Sequence, residues 1–107
     1  MKFHKLTDRR ITMVCYAEFS CYVHIGDRDH IRFEASTKVT AGECTYDLFP
    51  EVDYRALKVL LGSSIKDIKQ QADAFELETD KGSIITKLST GYESIMVVMD
   101  GITVTVY

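Results

Sequence analysis

The feature that most constrains the fold of this chain is a hydrophobic pattern shared by its two halves. A shift of 54 residues places aliphatic side chains on one another at five positions: Leu6 on Leu60, Ile11 on Ile65, Val14 on Ile68, Val23 on Leu77 and Ile31 on Ile85. A slip of eight residues then places Tyr46-Asp47 on Tyr92-Glu93. The pattern predicts two similar hairpin-rich segments, residues 6–49 and 60–107, within one domain spanning 1–107.

Short runs of β-forming residues, separated by turn residues, predict a β-rich α+β domain. One segment, Val52 to Leu61, has apolar residues at helical spacing, with acidic residues near its start and Gly62 after its end. Residues 36–42 are small and indicate a turn. We expect a curved sheet or small sandwich of hairpins with one central helix at 52–61. The predicted strands cover residues 11–17, 19–25, 30–35, 44–49, 65–71, 75–79, 83–88, 95–99 and 102–107.

The first hairpin can be tested for register, because facing core residues must lie on the same side of a sheet. Val23 and Ile25 can face Ile31 and Phe33 only across a loop with an odd number of residues. We therefore predict a three- or five-residue connection around Gly26.

The later hairpins give two more predictions. Leu77 faces Ile85, and Thr79 faces Ser83, if residues 80–82 form a three-residue loop with Gly82 in the left-handed conformation. Asp100-Gly101 lies between two apolar runs, and both residues tolerate positive φ. This pair is the strongest hairpin signal in the chain.

Composition and charge exclude several classes of function. The formal net charge of −3 disfavours nucleic acid as a partner, because phosphates require a basic surface. The longest apolar run, Ile95 to Met99, is far shorter than a membrane span. Three cysteines and a polar N-terminus without a signal peptide predict reduced thiols and a cytoplasmic protein.

No catalytic or cofactor motif stands out, so we predict that the chain is not an enzyme and carries no cofactor or metal. His24 and His30 flank one turn, but recognised metal-ligand spacing is missing. Cys21 lies on the predicted inward face, which favours a buried packing thiol over a nucleophile. Glu76, Glu78 and Asp80 form an acidic group on the predicted outer face of the later hairpin.

The stretch from Val39 to Tyr54 contains no lysine or arginine and is the best candidate for a binding surface. Acidic residues mixed with tyrosine suit recognition of a basic protein surface, because tyrosine combines apolar contact area with a polar tip. A solvated loop and helix start would give the same composition. The predicted partner-binding residues are Glu43, Tyr46, Asp47, Glu51, Asp53 and Tyr54.

Four short motifs, mainly within residues 55–99, carry a resemblance to known proteins: Leu60-Leu61-Gly62, Ile65 to Ile68, Asp80-Lys81-Gly82 and Tyr92-Glu93. Their layout resembles a family of small uncharacterised bacterial proteins. In this chain a lysine splits the Asp-Gly turn, and Ser94-Ile95 follows Tyr92-Glu93 where those relatives tend to carry tryptophan.

In size and style the chain also resembles the immunity proteins of bacterial toxin systems, including contact-dependent growth inhibition. That resemblance implies a cognate toxin, expected to be a nuclease with a basic surface, whose active site the immunity protein covers. It implies no catalytic residue.

Two alternatives stay open from the sequence. One is a small-molecule-binding or enzymatic domain with a pocket between sheet and helix, lined by His24, His30 and Cys44. The other is a homodimer that pairs through the uncharged last strand, Ile102 to Tyr107.

Overall fold

A computed structural model describes residues 4–88 and 94–106 of the chain. A short 3-10 helix, His4–Leu6, precedes the first strand. The other elements, in chain order, are β1 (Ile11–Ala17), β2 (Ser20–Ile25), β3 (Asp29–Phe33), β4 (Thr37–Ala41), β5 (Cys44–Phe49), α1 (Tyr54–Leu60), β6 (Ile65–Gln70), β7 (Ala74–Thr79), β8 (Ser83–Lys87), β9 (Ile95–Met99) and β10 (Ile102–Val106).

The strands form two five-stranded antiparallel sheets, which confirms the predicted β-rich α+β domain. Sheet 1 has the order β1-β2-β3-β9-β10, and sheet 2 has the order β5-β4-β8-β7-β6. Both sheets contribute side chains to a common buried core, in which the rings of Phe33 and Phe75 meet edge to face at 6.2 Å between centroids. Helix α1 packs against β4 and β5 and buries Ala56 and Leu60.

Each sheet is completed by a hairpin from the other half of the chain. The meander β1-β2-β3 is extended by β9 and β10, and the meander β8-β7-β6 is extended by β4 and β5. The joining pairs, β3 with β9 and β8 with β4, are antiparallel. Neither half forms a five-stranded sheet from its own strands, so the two halves interlock.

Four backbone hydrogen bonds join the sheets where β1 and β6 begin. Their partners are related by the same 54-residue spacing as the sequence pattern, and Arg10 and Ser64 form an isolated bridge between them. Asp8 and Gly62, which are also 54 residues apart, both have positive φ, at 68° and 81°. The bonds run from the N–H of Ile11 to the carbonyl of Ser63 (2.9 Å), Ile65 to Arg9 (2.9 Å), Gly62 to Ile11 (2.9 Å) and Asp8 to Ile65 (2.7 Å).

Strand pairing in the two meanders follows the same spacing up to their second turns. Val14 pairs with Val23, and Ile68 pairs with Leu77. After the turns, the partner of Val23 is Ile31, but the partner of Leu77 is Ile84. The two halves therefore differ by one residue in turn length.

The predicted match of Tyr46-Asp47 with Tyr92-Glu93 does not agree with the correspondence between strands of the two halves. Tyr46 and Asp47 lie in β5, which corresponds to β10 because both strands close an exchanged hairpin. Tyr92 and Glu93 precede β9 in the chain and lie outside the described residues. Descent of the chain from a duplicated half stays a prediction.

Two of the three hairpin predictions are confirmed. Val23 pairs with Ile31 across a three-residue loop, residues 26–28, and Gly26 has φ of 62°. Met99 pairs with Ile102 across a two-residue turn. Its residues, Asp100 and Gly101, both have positive φ, 55° and 79°, as a type I′ turn requires.

The predicted register of the β7–β8 hairpin is wrong by one residue, because Leu77 pairs with Ile84 rather than Ile85. The Thr79 hydroxyl closes the turn locally by donating to the carbonyl of Gly82 at 2.7 Å and accepting the N–H of Gly82 at 3.1 Å. Gly82 is not among the glycines with positive φ. A side chain there would collide with the Thr40 carbonyl and come within 2.8 Å of Val59 Cγ1, so close packing rather than left-handed backbone favours glycine.

The predicted turn at residues 36–42 is also wrong, because this segment contains β4, an interior strand of sheet 2. Its inward residues are Thr37 and Val39, and a threonine in the core hides the apolar pattern from sequence inspection. The helix is shorter than predicted, since Asp53 caps it and it ends at Leu60.

The buried threonine pair that joins β4 to β8 gives a test of the fold. Thr37 donates to the carbonyl of Ala35 at 2.8 Å, so Thr86 must donate to Thr37 across their 2.9 Å contact. Thr37→Val leaves the buried Thr86 hydroxyl without its hydrogen-bond acceptor and should lower the free energy of unfolding by about 1–3 kcal/mol. Thr86→Val should cost less, because Thr37 keeps its bond to Ala35.

Urea denaturation of both single variants and the double variant measures these costs. The double variant should lose less than the sum of the single losses, because it removes both partners of one bond. Additive losses would contradict this account of the pair.

Candidate functional site

The six predicted partner-binding residues lie at or near the surface along β5 and the start of α1. Glu43 belongs to the turn before β5, and Glu51 follows its other end. A six-residue strand extends about 20 Å, so these two carboxylates mark the ends of an elongated surface. We call this surface the acidic edge; it comprises Glu43, Tyr46, Asp47, Glu51, Asp53 and Tyr54.

The structure does not place the whole acidic edge on one face. Tyr46 lies opposite the buried Val39, on the side of the sheet covered by α1. Asp47, the next residue, points to the outer face of sheet 2 and pairs with Lys38. Neighbouring strand residues point in opposite directions, so Tyr46 and Asp47 cannot both face one flat surface. The assignment of the six residues to partner binding stays a prediction.

Nearby cations neutralise half of the carboxylates. Lys38 Nζ lies 2.7 Å from Asp47 Oδ1, and Arg55 Nη2 lies 2.7 Å from Asp53 Oδ2. The Asp53 carboxylate accepts hydrogen bonds from the side chain and the backbone N–H of Arg55. These bonds lower the pKa of Asp53. With Lys58 on the same helix, three cations accompany four carboxylates, and the local net charge is −1.

Sequence inspection missed these cations because Lys38 and Arg55 lie immediately outside the stretch without positive charge. The guanidinium of Arg55 also lies 4.9 Å from the centre of the Tyr46 ring. The signal that could have revealed them is the usual pairing of acids with cations on an adjacent strand or helical turn.

Exposed apolar side chains lie beside the remaining carboxylates. Tyr54 is 64% exposed and Val52 is 49% exposed, on either side of the helix cap Asp53. Lys58 Nζ lies 5.2 Å from the centre of the Tyr54 ring. Val52 was predicted to begin the helix, but the helix begins two residues later.

Strand β5 is an edge strand: within the described residues it pairs only with β4. Two carbonyls near the end of the strand are already bonded, since Asp47 accepts the Asp53 N–H and Leu48 accepts the Tyr16 hydroxyl, both at 2.9 Å. The part of the edge that begins at Cys44 has no neighbouring strand within the described residues. An edge of this kind can accept a strand from another protein, and flanking carboxylates limit which strands approach.

The alternative pocket lining of His24, His30 and Cys44 is not brought together. The two histidines lie on the outer face of sheet 1, whereas Cys44 begins β5 in sheet 2. A groove of about 360 Å³ lies on the outer face of sheet 2 over Ile85, between Lys38 and Lys87. This groove is not between a sheet and the helix, and the alternative function stays a prediction.

The last strand also lies at a sheet edge, since β10 pairs only with β9 among the described residues. Ile102 is 70% exposed and Val104 is 43% exposed. The predicted homodimer through this strand stays a prediction.

Comparisons of the chain with protein-family models, curated proteins and solved structures find no match. Neither described helix is long and apolar enough to cross a membrane. Within residues 4–88 and 94–106, no three His, Cys, Asp or Glu side chains are arranged to hold a metal ion.

Thiol labelling tests whether the cysteines behave as packing or reactive groups. Burial raises the pKa of the Cys21 thiol to about 12, and its side chain is inaccessible, whereas Cys44 is exposed. Iodoacetamide at pH 8 should modify Cys44 first and Cys21 only in unfolded protein, because alkylation requires an accessible thiolate. Mass spectrometry of a Cys15→Ser/Cys44→Ser variant isolates Cys21, and rapid labelling of Cys21 in the folded protein would contradict the assigned burial.

Proposed function

We propose that this chain is an immunity protein that binds a cognate bacterial toxin, most simply a nuclease, and neutralises it by occluding its active site. The observation that carries the proposal is the acidic edge: an edge strand, two carboxylates that form no ion pair with the described residues, and an exposed tyrosine. Glu43 and Glu51 are these carboxylates, and Tyr54 is the tyrosine. The described residues Lys38 and Arg55 compensate the other two acids.

The chemistry of this surface suits a basic partner. A nuclease groove must attract phosphate, so it presents Lys and Arg to any protein that enters it. Glu43 and Glu51, which flank the two ends of β5, would guide such a groove along the strand by long-range attraction. Tyr54 and Val52 would supply the desolvated contact that holds the complex.

The proposal assigns separate kinetic roles to charge and apolar contact. Rim charges mainly change the rate of association, and a central aromatic anchor mainly changes the rate of dissociation. The ion pairs at Asp47 and Asp53 hold Lys38 and Arg55 in place and reduce the number of acids available to the partner.

The experiment that tests the function uses the toxin domain encoded beside this chain in its genome of origin. Co-expression should protect cells from that toxin, and the purified proteins should form a stoichiometric complex in which the toxin is inactive. A toxin that remains fully active in the presence of excess chain would overturn the proposal.

Charge reversal tests the role of the acidic edge. Glu43→Lys/Glu51→Lys should slow association with the toxin at low salt by about tenfold, because attraction becomes repulsion at both ends of β5. Glu76→Lys/Glu78→Lys, on the outer face of sheet 2, makes the same change in net charge and is the matched control. Equal effects of the two double variants in surface plasmon resonance would place the contact elsewhere.

Truncation of the exposed tyrosine tests the apolar contact. Tyr54→Ala should speed dissociation at least about tenfold, as expected of an interface anchor. Phe19→Ala removes another highly exposed aromatic, in the turn between β1 and β2, and should leave the dissociation rate unchanged. A dissociation rate that is insensitive to Tyr54→Ala would remove this residue from the interface.

A further inference from the structure

Three side chains with metal-binding chemistry form a row across the outer face of sheet 1. Met13 on β1 lies directly opposite His24 on β2, and His24 lies directly opposite His30 on β3. Directly opposed residues of antiparallel strands have Cβ atoms about 4.5–5.5 Å apart. The row therefore places one thioether and two imidazoles side by side.

The distance between the two imidazoles suits shared coordination of one ion. Their ring centroids are 5.5 Å apart. An ion held by two imidazole nitrogens at about 2.0–2.1 Å has the ring centres roughly 5 Å apart, so the observed ring spacing is compatible with one shared ion. Met13 is 48% exposed, and its flexible side chain can reach over the neighbouring His24.

The other half of the molecule shows that the fold does not require this chemistry. The corresponding row on sheet 2 consists of Asp67, Glu78 and Ser83, which are paired across β6, β7 and β8 in the same way. These are ordinary polar residues for a solvated sheet face. Backbone geometry and sheet register therefore do not account for Met13, His24 and His30.

The surroundings of the row favour a soft ion. Tyr22 lies beside the row, with its ring centre 5.6 Å from that of His30. Val98 on β9 lies opposite His30 on β3. The row itself contains no carboxylate, the ligand type that hard cations prefer. Thioether sulfur selects Cu(I), and imidazole also binds copper well.

We infer that Met13, His24 and His30 form a copper site that binds Cu(I) through one thioether sulfur and two imidazole nitrogens. The inference is independent of the proposed function, since the row lies on sheet 1 and the acidic edge lies on sheet 2 and α1.

The experiment measures Cu(I) binding under anaerobic conditions against a chromophoric chelator. The reference protein is the full chain with Cys15→Ser and Cys44→Ser, because partly or fully exposed thiols also bind Cu(I). It should bind one equivalent, and His24→Ala or His30→Ala should weaken binding at least tenfold. His4→Ala, which alters the remaining histidine of the sequence, is the matched control and should leave the affinity unchanged.

Substitution of the thioether distinguishes the proposed ion from zinc. Met13→Leu keeps a side chain of similar size and should weaken Cu(I) binding several-fold while leaving weak Zn(II) binding by the two histidines unchanged. X-ray absorption of the Cu(I) complex should show one Cu–S contact that disappears in Met13→Leu. Thermal denaturation of each apo variant shows whether it is folded.

Amide NMR shifts on addition of Ag(I), a stable analogue of Cu(I), give a second measurement that needs no variant. They should centre on residues 13, 24 and 30. Loss of stoichiometric Cu(I) binding in the serine reference protein, equal affinity in all histidine variants, or shifts centred elsewhere would each overturn the inference.

Discussion

The architecture depends on the reciprocal backbone hydrogen bonds between residues 8–11 and 62–65. They hold the starts of β1 and β6 together and so fix one sheet relative to the other. Buried backbone groups must find partners, and here each segment supplies the donors and acceptors that the other needs. From this junction the two meanders diverge, and each receives the hairpin that the other half of the chain provides.

Much of the fold follows from sequence because its signals are local. Alternation in β2 and β3 fixed the inward side of Val23 and Ile31, and Asp100-Gly101 defined its turn through positive φ. The failures arise from two hydrogen bonds, one within a turn and one between residues 49 positions apart. A threonine hydroxyl closes the β7–β8 turn, and a buried threonine pair makes β4 an interior strand. Hydrophobic patterns do not reveal polar groups that satisfy each other.

The candidate site could be predicted less well, because it depends on contacts between elements. Sequence position identified Glu43, Glu51 and Tyr54 as surface groups, which the structure bears out as exposed residues. The cations that reduce the local negative charge are Lys38 on β4 and Arg55 on α1. Their positions depend on the strand order of sheet 2 and on where the helix packs. The row of Met13, His24 and His30 depends on the strand register across a bulge between Ile11 and Met13. The sequence of β1 contains no local pattern that predicts this bulge.

The exchange of hairpins has a consequence for how the molecule is made. Sheet 1 requires β9 and β10, the last strands of the chain, before its central strand β3 has partners on both sides. Sheet 2 can therefore close once β8 has been synthesised, whereas sheet 1 must wait for residues 95–106. Nascent chains that stop early would expose the inward faces of β2 and β3, which makes incomplete products easy targets for proteolysis.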